Sequence, residues 1–332
     1  MSAADLHALA AALRGIVGDD GVLDAVHDVA PYRGDLACLA RDATILAVRP
    51  RRTDEVSAVV RACAAAGVAV VARGGGSGLS GGATPPDGAV TVVVSFERMR
   101  RVLRVDPVDG VIVVEAGCTL YEAQAAAAEA GLLLGLDHGG AGSSQIGGNL
   151  ATNAGGNNVL RYGMARDQVL GLEVVLADGR VLSRLSSLCK SNAGYDLKQV
   201  FLGSEGTLGL ITAAALRLRP APIRSVTACV GLASPQAALD FFAAARSSFG
   251  EAISACELMA QACVELHLRH RRDQRWPLAR RTPWLLLLEA DSASRYFDLD
   301  AALYALLEQA QEAGTVVDGT VAASEAQRQA LW

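Results

Sequence analysis

The chain has 332 residues, 51% hydrophobic and 20% charged, enough to bury a large core and to form more than one domain. Its net charge of −5 gives no basis for nucleic-acid binding, and seven cysteines without C-x-x-C spacing argue against a disulfide framework or a zinc site and fit a reducing compartment. No apolar run approaches the roughly 18 residues of a membrane span, and the first residues, with Asp5 and His7, lack the basic stretch of a signal peptide. The expectation is a soluble, cytoplasmic protein.

Residues 4–17 read as an amphipathic helix ended by Gly18, within a lead-in that covers 1–29. Tyr32, Arg33 and Asp35 follow in a polar connection, and 45–48 is a short strand before Pro50. Thr53 is expected to cap the next helix, Asp54 and Glu55 favour its positive end, and Gly67 stops it. The apolar run 68–71 then reads as a buried strand that delivers Arg73-Gly74-Gly75-Gly76-Ser77-Gly78-Leu79-Ser80-Gly81-Gly82.

Without Cβ atoms such a loop turns through positive φ and brings backbone N–H groups close to an anion. Its residues 76–81 match G-x-G-x-x-G, but that fingerprint needs a helix to start inside it. Pro85-Pro86-Asp87-Gly88 follows instead, which disfavours a Rossmann unit. A P-loop requires lysine, and no lysine precedes Lys190. A flexible linker and a loop that binds pyrophosphate through amides alone both remain, either one running into a strand at 89–94.

Residues 110–117 give a strong β signal, and Thr119 is expected to cap an alanine-rich helix over 120–130 that stops at Gly131. A second cluster, Gly140-Ala141-Gly142-Ser143-Ser144-Gln145-Ile146-Gly147-Gly148-Asn149-Leu150-Ala151-Thr152-Asn153-Ala154-Gly155-Gly156, mixes glycine with small hydroxyl and amide side chains. It reads as a long uncharged loop suited to hydrogen-bonding a ring edge and a polyol chain, or as a polar surface loop. Residues 169–176 and 181–182, joined by Asp178-Gly179, read as a β-hairpin. Gly203-Ser204-Glu205-Gly206-Thr207-Leu208-Gly209 and a strand around Ile211 follow, and Pro220 with Pro222 marks a boundary.

Taken together, the two glycine segments and residues 203–209 resemble the FAD-linked oxidase domain of vanillyl-alcohol-oxidase-type (PCMH-type) flavoproteins. The likeness is strongest to D-2-hydroxyacid dehydrogenases of the D-lactate, D-2-hydroxyglutarate and glycolate oxidase types, and it covers about residues 30–222 closely. It implies an α+β protein, with a two-subdomain PCMH-type FAD-binding domain at 30–222 and a partial ferredoxin-like α+β cap at 223–332. It implies FAD, held noncovalently because Ser77 stands where flavinylated relatives carry histidine. Gly74, Gly75, Gly76, Ser77, Gly78 and Leu79 would face the pyrophosphate. Ser143, Gly147, Gly148, Asn149 and Thr152 would line the flavin and ribityl chain, while Glu205 and Gly206 close the domain and Ile211 runs along the adenine side. Two residues depart from the family: Ala193 replaces a threonine, losing a hydroxyl, and His138 replaces an apolar residue and reads as a solvent-facing or helix-contacting histidine.

Beyond the boundary, strands are expected at 226–232, 252–258, 284–290 and 315–317. Helices are expected at 235–249, capped by Ser234, around Cys263 and His267, and at 299–313 before Gly314. With the middle helix set aside this is β-α-β-β-α-β, a ferredoxin-like order. His267 and His270 sit among Arg269, Arg271, Arg272, Arg275, Arg280 and Arg281, so a solvated basic segment is favoured over a metal site and no metal is expected.

The resemblance implies oxidation of a D-2-hydroxy acid to the 2-oxo acid, with hydride passing from C2 to flavin N5 and electrons to a separate acceptor. It implies neither nucleic acid nor a membrane span as a partner, and a homo-oligomer is compatible with it. Two alternatives are an NADPH-dependent FAD reductase of the same fold and a noncatalytic FAD-binding subunit of a larger oxidase. The family's substrate arginine and histidine-rich metal cluster would follow Leu331-Trp332, and His7, His27, His138, His267 and His270 form no such cluster. A catalytically incomplete chain, with no catalytic residue assigned, is therefore expected.

Overall fold

The structure, a computed structural model, describes residues 2–332. The chain divides into two compact units: one holds the chain up to Gly156 together with Met164–Arg219, the other Asn157–Gly163 with Pro220–Trp332.

The first unit opens with the helix Ala3–Val17, where Ser2 and Asp5 form a reciprocal capping box. Leu9, Leu13 and Val17 bury its apolar stripe. A four-stranded sheet follows in the order Val22–Leu23, Thr44–Val48, Val90–Ser95, Ala69–Arg73. The pairs 44–48 with 90–95 and 69–73 with 90–95 are parallel. A parallel pair needs a crossover, and the helix Thr53–Ala66 supplies it, ending at Gly67 in the left-handed region. The expected cap is displaced by one residue. Arg52 is the N-cap, and the Thr53 hydroxyl donates to Glu173 Oε1 at 2.6 Å instead.

A second, five-stranded sheet has the order Val102–Asp106, Val111–Glu115, Leu210–Arg217, Val169–Val175, Val181–Arg184 and is antiparallel throughout. Its central strand, Leu210–Arg217, is buried along nearly its whole length. The expected hairpin is present, with Gly179 at φ +80 in its turn. The two sheets share one core in which Leu46, Val92, Ile112, Ile146 and Val174 meet.

The second unit carries a four-stranded antiparallel sheet in the order Ile253–Ala260, Trp284–Ser292, Arg224–Leu232, Asp318–Val321. Its helices Pro235–Phe249 and Leu299–Glu312 cover one face, so the connection is the ferredoxin-like β-α-β-β-α-β. Alternation along 284–292 sends Leu286, Leu288 and Ala290 toward those helices, and Leu285, Leu287 and Glu289 to the other face. There Glu289 is buried, and it accepts from Thr227 Oγ1 at 2.7 Å, Arg328 Nη1 at 3.0 Å and Trp332 Nε1 at 2.7 Å. The last strand begins later than expected. Gly314 takes φ +71 and Thr315 N–H still bonds back to Ala310, so pairing starts at Asp318 opposite Gly231.

Candidate functional site

At the end of the strand Ala69–Arg73 the chain enters the first glycine segment. Gly76 adopts φ +65, which side chains disfavour, and a Cβ on Gly75 would overlap the carbonyl oxygen of Ser143. The Arg73 guanidinium folds beneath the loop, donating to Gly34 O and standing 5.6 Å from the Tyr32 ring centroid. Burial lowers the Arg73 pKa, while the nearby Tyr32, Glu97 and Asp35 act in the opposite direction. Burial and the adjacent Glu97 carboxylate, which accepts from the phenol at 3.0 Å, push Tyr32 up to about 12.

On the loop's other flank Asp35 is buried, its Oδ1 accepting from the N–H groups of Ala37 and Cys38 at 2.9 Å and its Oδ2 from Gly81 N–H at 2.7 Å. Side chains from outside the loop thus set its shape. The backbone N–H groups of residues 75–80 donate to no protein group among the described residues.

The second glycine segment is lashed to the same unit through its backbone. Leu120 N–H donates to Ser144 O at 3.0 Å, Ile146 N–H to Cys118 O at 2.8 Å and Gly147 N–H to Ala116 O at 2.8 Å. Thr119 caps the helix Leu120–Glu129 in a box with Glu122, as expected. The cluster is not a loop throughout, because residues Ile146–Ala151 form a short helix that starts at Gln145. Ile146 and Leu150 turn into the core, which leaves Gly147, Gly148, Asn149 and Thr152 on the other side.

Of the two readings of His138, the helix-contacting one fits the structure: the half-buried ring meets the short helix 146–151 at Asn149. Its Nδ1 accepts from Gly140 N–H at 3.1 Å, and its Nε2 lies 3.2 Å from Asn149 Oδ1. Asn149 Nδ2 donates in turn to Ser144 Oγ at 3.3 Å. The Thr152 hydroxyl bends back to Gly148 O at 2.9 Å, leaving its lone pairs to accept. Gln145 is buried at 7% exposure, yet its Oε1 has no hydrogen-bond partner among the described residues.

A third segment docks on this helix: Gly203 N–H donates to Leu150 O at 3.1 Å and Glu205 N–H to Ala151 O at 2.9 Å. Glu205 takes φ +52, a conformation rarely held by a non-glycine residue.

The three segments enclose a cavity of about 630 Å³, within the range of small-molecule and cofactor sites. Gly74, Gly75, Gly76, Ser77, Gly78 and Leu79 line it, as do Gly147, Gly148, Asn149, Thr152, Glu205, Gly206 and Ile211. Ser143 is not brought to the wall, because its carbonyl turns against Gly75, and Ser144 and Gln145 line the cavity instead. Sequence reasoning also passed over His138, Asp35 and Phe96 as lining residues. A signal was present for Gln145: it lies directly before the apolar Ile146 that opens the short helix.

These features suit a flavin dinucleotide. A row of unpaired amides matches a pyrophosphate, glycines permit close approach of both walls, and the orphaned Gln145 carboxamide and the Asn149 amide match a ring edge that donates and accepts.

Comparison with known proteins agrees. Residues 44–184 match the FAD binding domain family and residues 221–332 the C-terminal domain of FAD linked oxidases. The chain is 40% identical to D-2-hydroxyglutarate dehydrogenase, mitochondrial, of Bos taurus over 322 residues, covering 97% of this chain and 58% of that protein. It is 41% identical to the protein of the same name from Rattus norvegicus over 285 residues, covering 86% and 52%. The chain therefore spans a little over half the length of these relatives. Among solved structures, p-cresol methylhydroxylase with substrate bound superposes with a TM-score of 0.77 at 18% identity, covering 99% of this chain and 69% of that one, which shows a shared PCMH-type fold. The chain thus carries an FAD binding domain followed by the C-terminal domain of FAD linked oxidases, and FAD is its cofactor.

Proposed function

We propose that this chain is the FAD-carrying part of a D-2-hydroxyacid dehydrogenase that oxidises D-2-hydroxyglutarate or a related D-2-hydroxy acid to the 2-oxo acid. The observation that carries this reading is the cavity walled by unpaired loop amides on one side and by Gly147, Gly148 and Asn149 on the other. The names of relatives at 40% and 41% identity support the substrate class.

In this reading the amides of residues 75–80 hold the pyrophosphate, with the Arg73 guanidinium beneath them offsetting the nearby Asp35 and Glu97 carboxylates. Gly147 and Gly148 let the ring approach the backbone, and Asn149, Gln145 and Thr152 hydrogen-bond its polar edge and ribityl chain. Bound FAD supplies the hydride acceptor. The substrate carboxylate and hydroxyl are left to groups that this site does not provide.

Electrons pass to a separate acceptor, and homo-oligomerisation remains part of the proposal. No helix among the described residues is long and apolar enough to cross a membrane. The relatives' names place those proteins in mitochondria. Seven cysteines without a disulfide suit any reducing compartment, and we retain the cytoplasm for this chain.

The test is spectroscopic. Protein reconstituted with FAD is expected to be yellow, to release its flavin on acid precipitation, and to bleach anaerobically only slowly, well below about one turnover per second, with D-2-hydroxyglutarate and not at all with the L enantiomer. Bleaching by NADPH alone would replace this reading with a reductase. A yellow protein that no 2-hydroxy acid bleaches would leave an FAD-binding subunit.

A further inference from the structure

We infer that His138 is a positioning residue of the flavin cavity, fixing the orientation of the Asn149 carboxamide that faces the cofactor. The inference rests on reading this cavity as the FAD site, and it adds a role for a residue that touches the cofactor through another.

One nitrogen of the His138 ring has only one possible role. A backbone N–H can only donate, so the 3.1 Å contact from Gly140 N makes His138 Nδ1 an acceptor. The imidazole proton then resides on Nε2, which donates to Asn149 Oδ1 at 3.2 Å. That in turn fixes the amide: with its oxygen held by His138, Asn149 directs Nδ2 toward Ser144 Oγ at 3.3 Å. Asn149 and Ser144 are both buried, at 5% and 2% exposure, so a rotated amide would leave unmatched donors and acceptors away from water.

Only one Nδ2 hydrogen is used in this chain of bonds, and the second remains for a ligand acceptor. His138, Asn149 and Ser144 all line the cavity. The approach of Gly140 is part of the device. A Cβ there would stand 3.2 Å from His138 Nδ1 and push the ring away from the contact that fixes its tautomer.

A leucine at position 138 would fill the space without holding the Asn149 oxygen. The experiment measures FAD affinity of the apoprotein by fluorescence titration, with the visible spectrum of the bound flavin as a second readout. His138→Leu is expected to weaken FAD binding by about tenfold and to shift the flavin bands, since one buried hydrogen bond and the amide direction are lost. His138→Gln, which keeps a donor for Asn149 Oδ1, is expected to restore most of both. In an Asn149→Ala background His138→Leu should cost little more, because the two act as one unit.

His138→Leu with affinity within about twofold of wild type and an unchanged spectrum would overturn the assignment, and so would an equal loss with or without Asn149. If His138→Leu fails to fold, as its apo melting curve would show, His138→Gln decides: near wild-type affinity and spectrum support the role, and a tenfold loss refutes it. A wild-type protein that takes up no FAD would instead fail the reading of the cavity, and this role with it.

Discussion

Residues 74–82 and residues 140–156 are both rich in glycine, yet they bring polar groups to the cavity in different ways. The first offers peptide N–H groups and is shaped by side chains from elsewhere, Asp35 from one flank and Arg73 from beneath. The second spends its backbone on the neighbouring strand and helix, and presents the side chains of Ser144, Gln145 and Asn149. A backbone-built wall tolerates change poorly at its glycines and is indifferent to most side-chain chemistry. A wall built from side chains has the reverse sensitivity.

The sharpest way to break this contrast is Gly76→Asp. The residue sits at φ +65, any Cβ would run into Arg73, and a carboxylate would occupy an anion nest. FAD binding is expected to be lost by more than about a hundredfold, an estimate that combines backbone strain with charge repulsion. Gly15→Asp, where an added Cβ meets nothing within 4 Å, is expected to leave the affinity unchanged. Equal titration curves for wild type and Gly76→Asp would sink the loop's role.

Asp35→Ala should come next, leaving three backbone N–H groups without their carboxylate. A loss of about 2–3 kcal/mol in apo stability is expected, read from denaturant midpoints, together with weaker FAD binding. Unchanged stability would mean that the loop holds its shape without outside help.

On the other wall, Gln145→Leu removes an amide whose Oε1 has no partner among the described residues. It is expected to leave the apoprotein as stable as wild type or more so, while lowering FAD affinity by about five- to tenfold. Destabilised apoprotein with normal FAD affinity would reverse that assignment.

The smallest effect is at the support under the first wall. Tyr32 is raised from 10.0 to about 12, so the folded state favours the neutral phenol. Its contribution is full below pH 10 and is lost as the pH rises toward 12. Across that window Tyr32→Phe should show a shallower fall in melting temperature than wild type. Parallel curves would show that Tyr32 contributes nothing there.

The first wall was legible because Pro85 and Pro86 disfavoured the helix that one competing fingerprint requires and the absence of lysine before Lys190 excluded the other, while a flexible linker stayed open. It was less informative where a residue's partner lies far along the chain. Thr53 has the chemistry of a cap, but a hydrogen bond to Glu173 claimed its hydroxyl. The strand Val102–Asp106 was passed over because it lies at a sheet edge, its first residues exposed and, among the described residues, paired with Val111–Glu115 alone. Ser143 and Ser144 are chemically alike, and the turn of the Ser143 carbonyl against Gly75, from a distant stretch, leaves Ser144 rather than Ser143 at the cavity. His138 was legible as a departure but not as a partner for Asn149, eleven residues later.

The cavity draws its walls from Asp35, from the loop after Arg73, from residues 138–155 and from 205–211. No part of this unit can therefore form the site early in folding and wait for the rest, since its closure requires loops between distant stretches to be settled first. Cofactor uptake should accordingly behave as a late event. Once bound, FAD should slow amide exchange in all three segments together rather than in one, because opening any wall means releasing the ligand. At a free FAD concentration a hundred times Kd, that linkage amounts to about 2.7 kcal/mol, shared across segments that are remote in sequence.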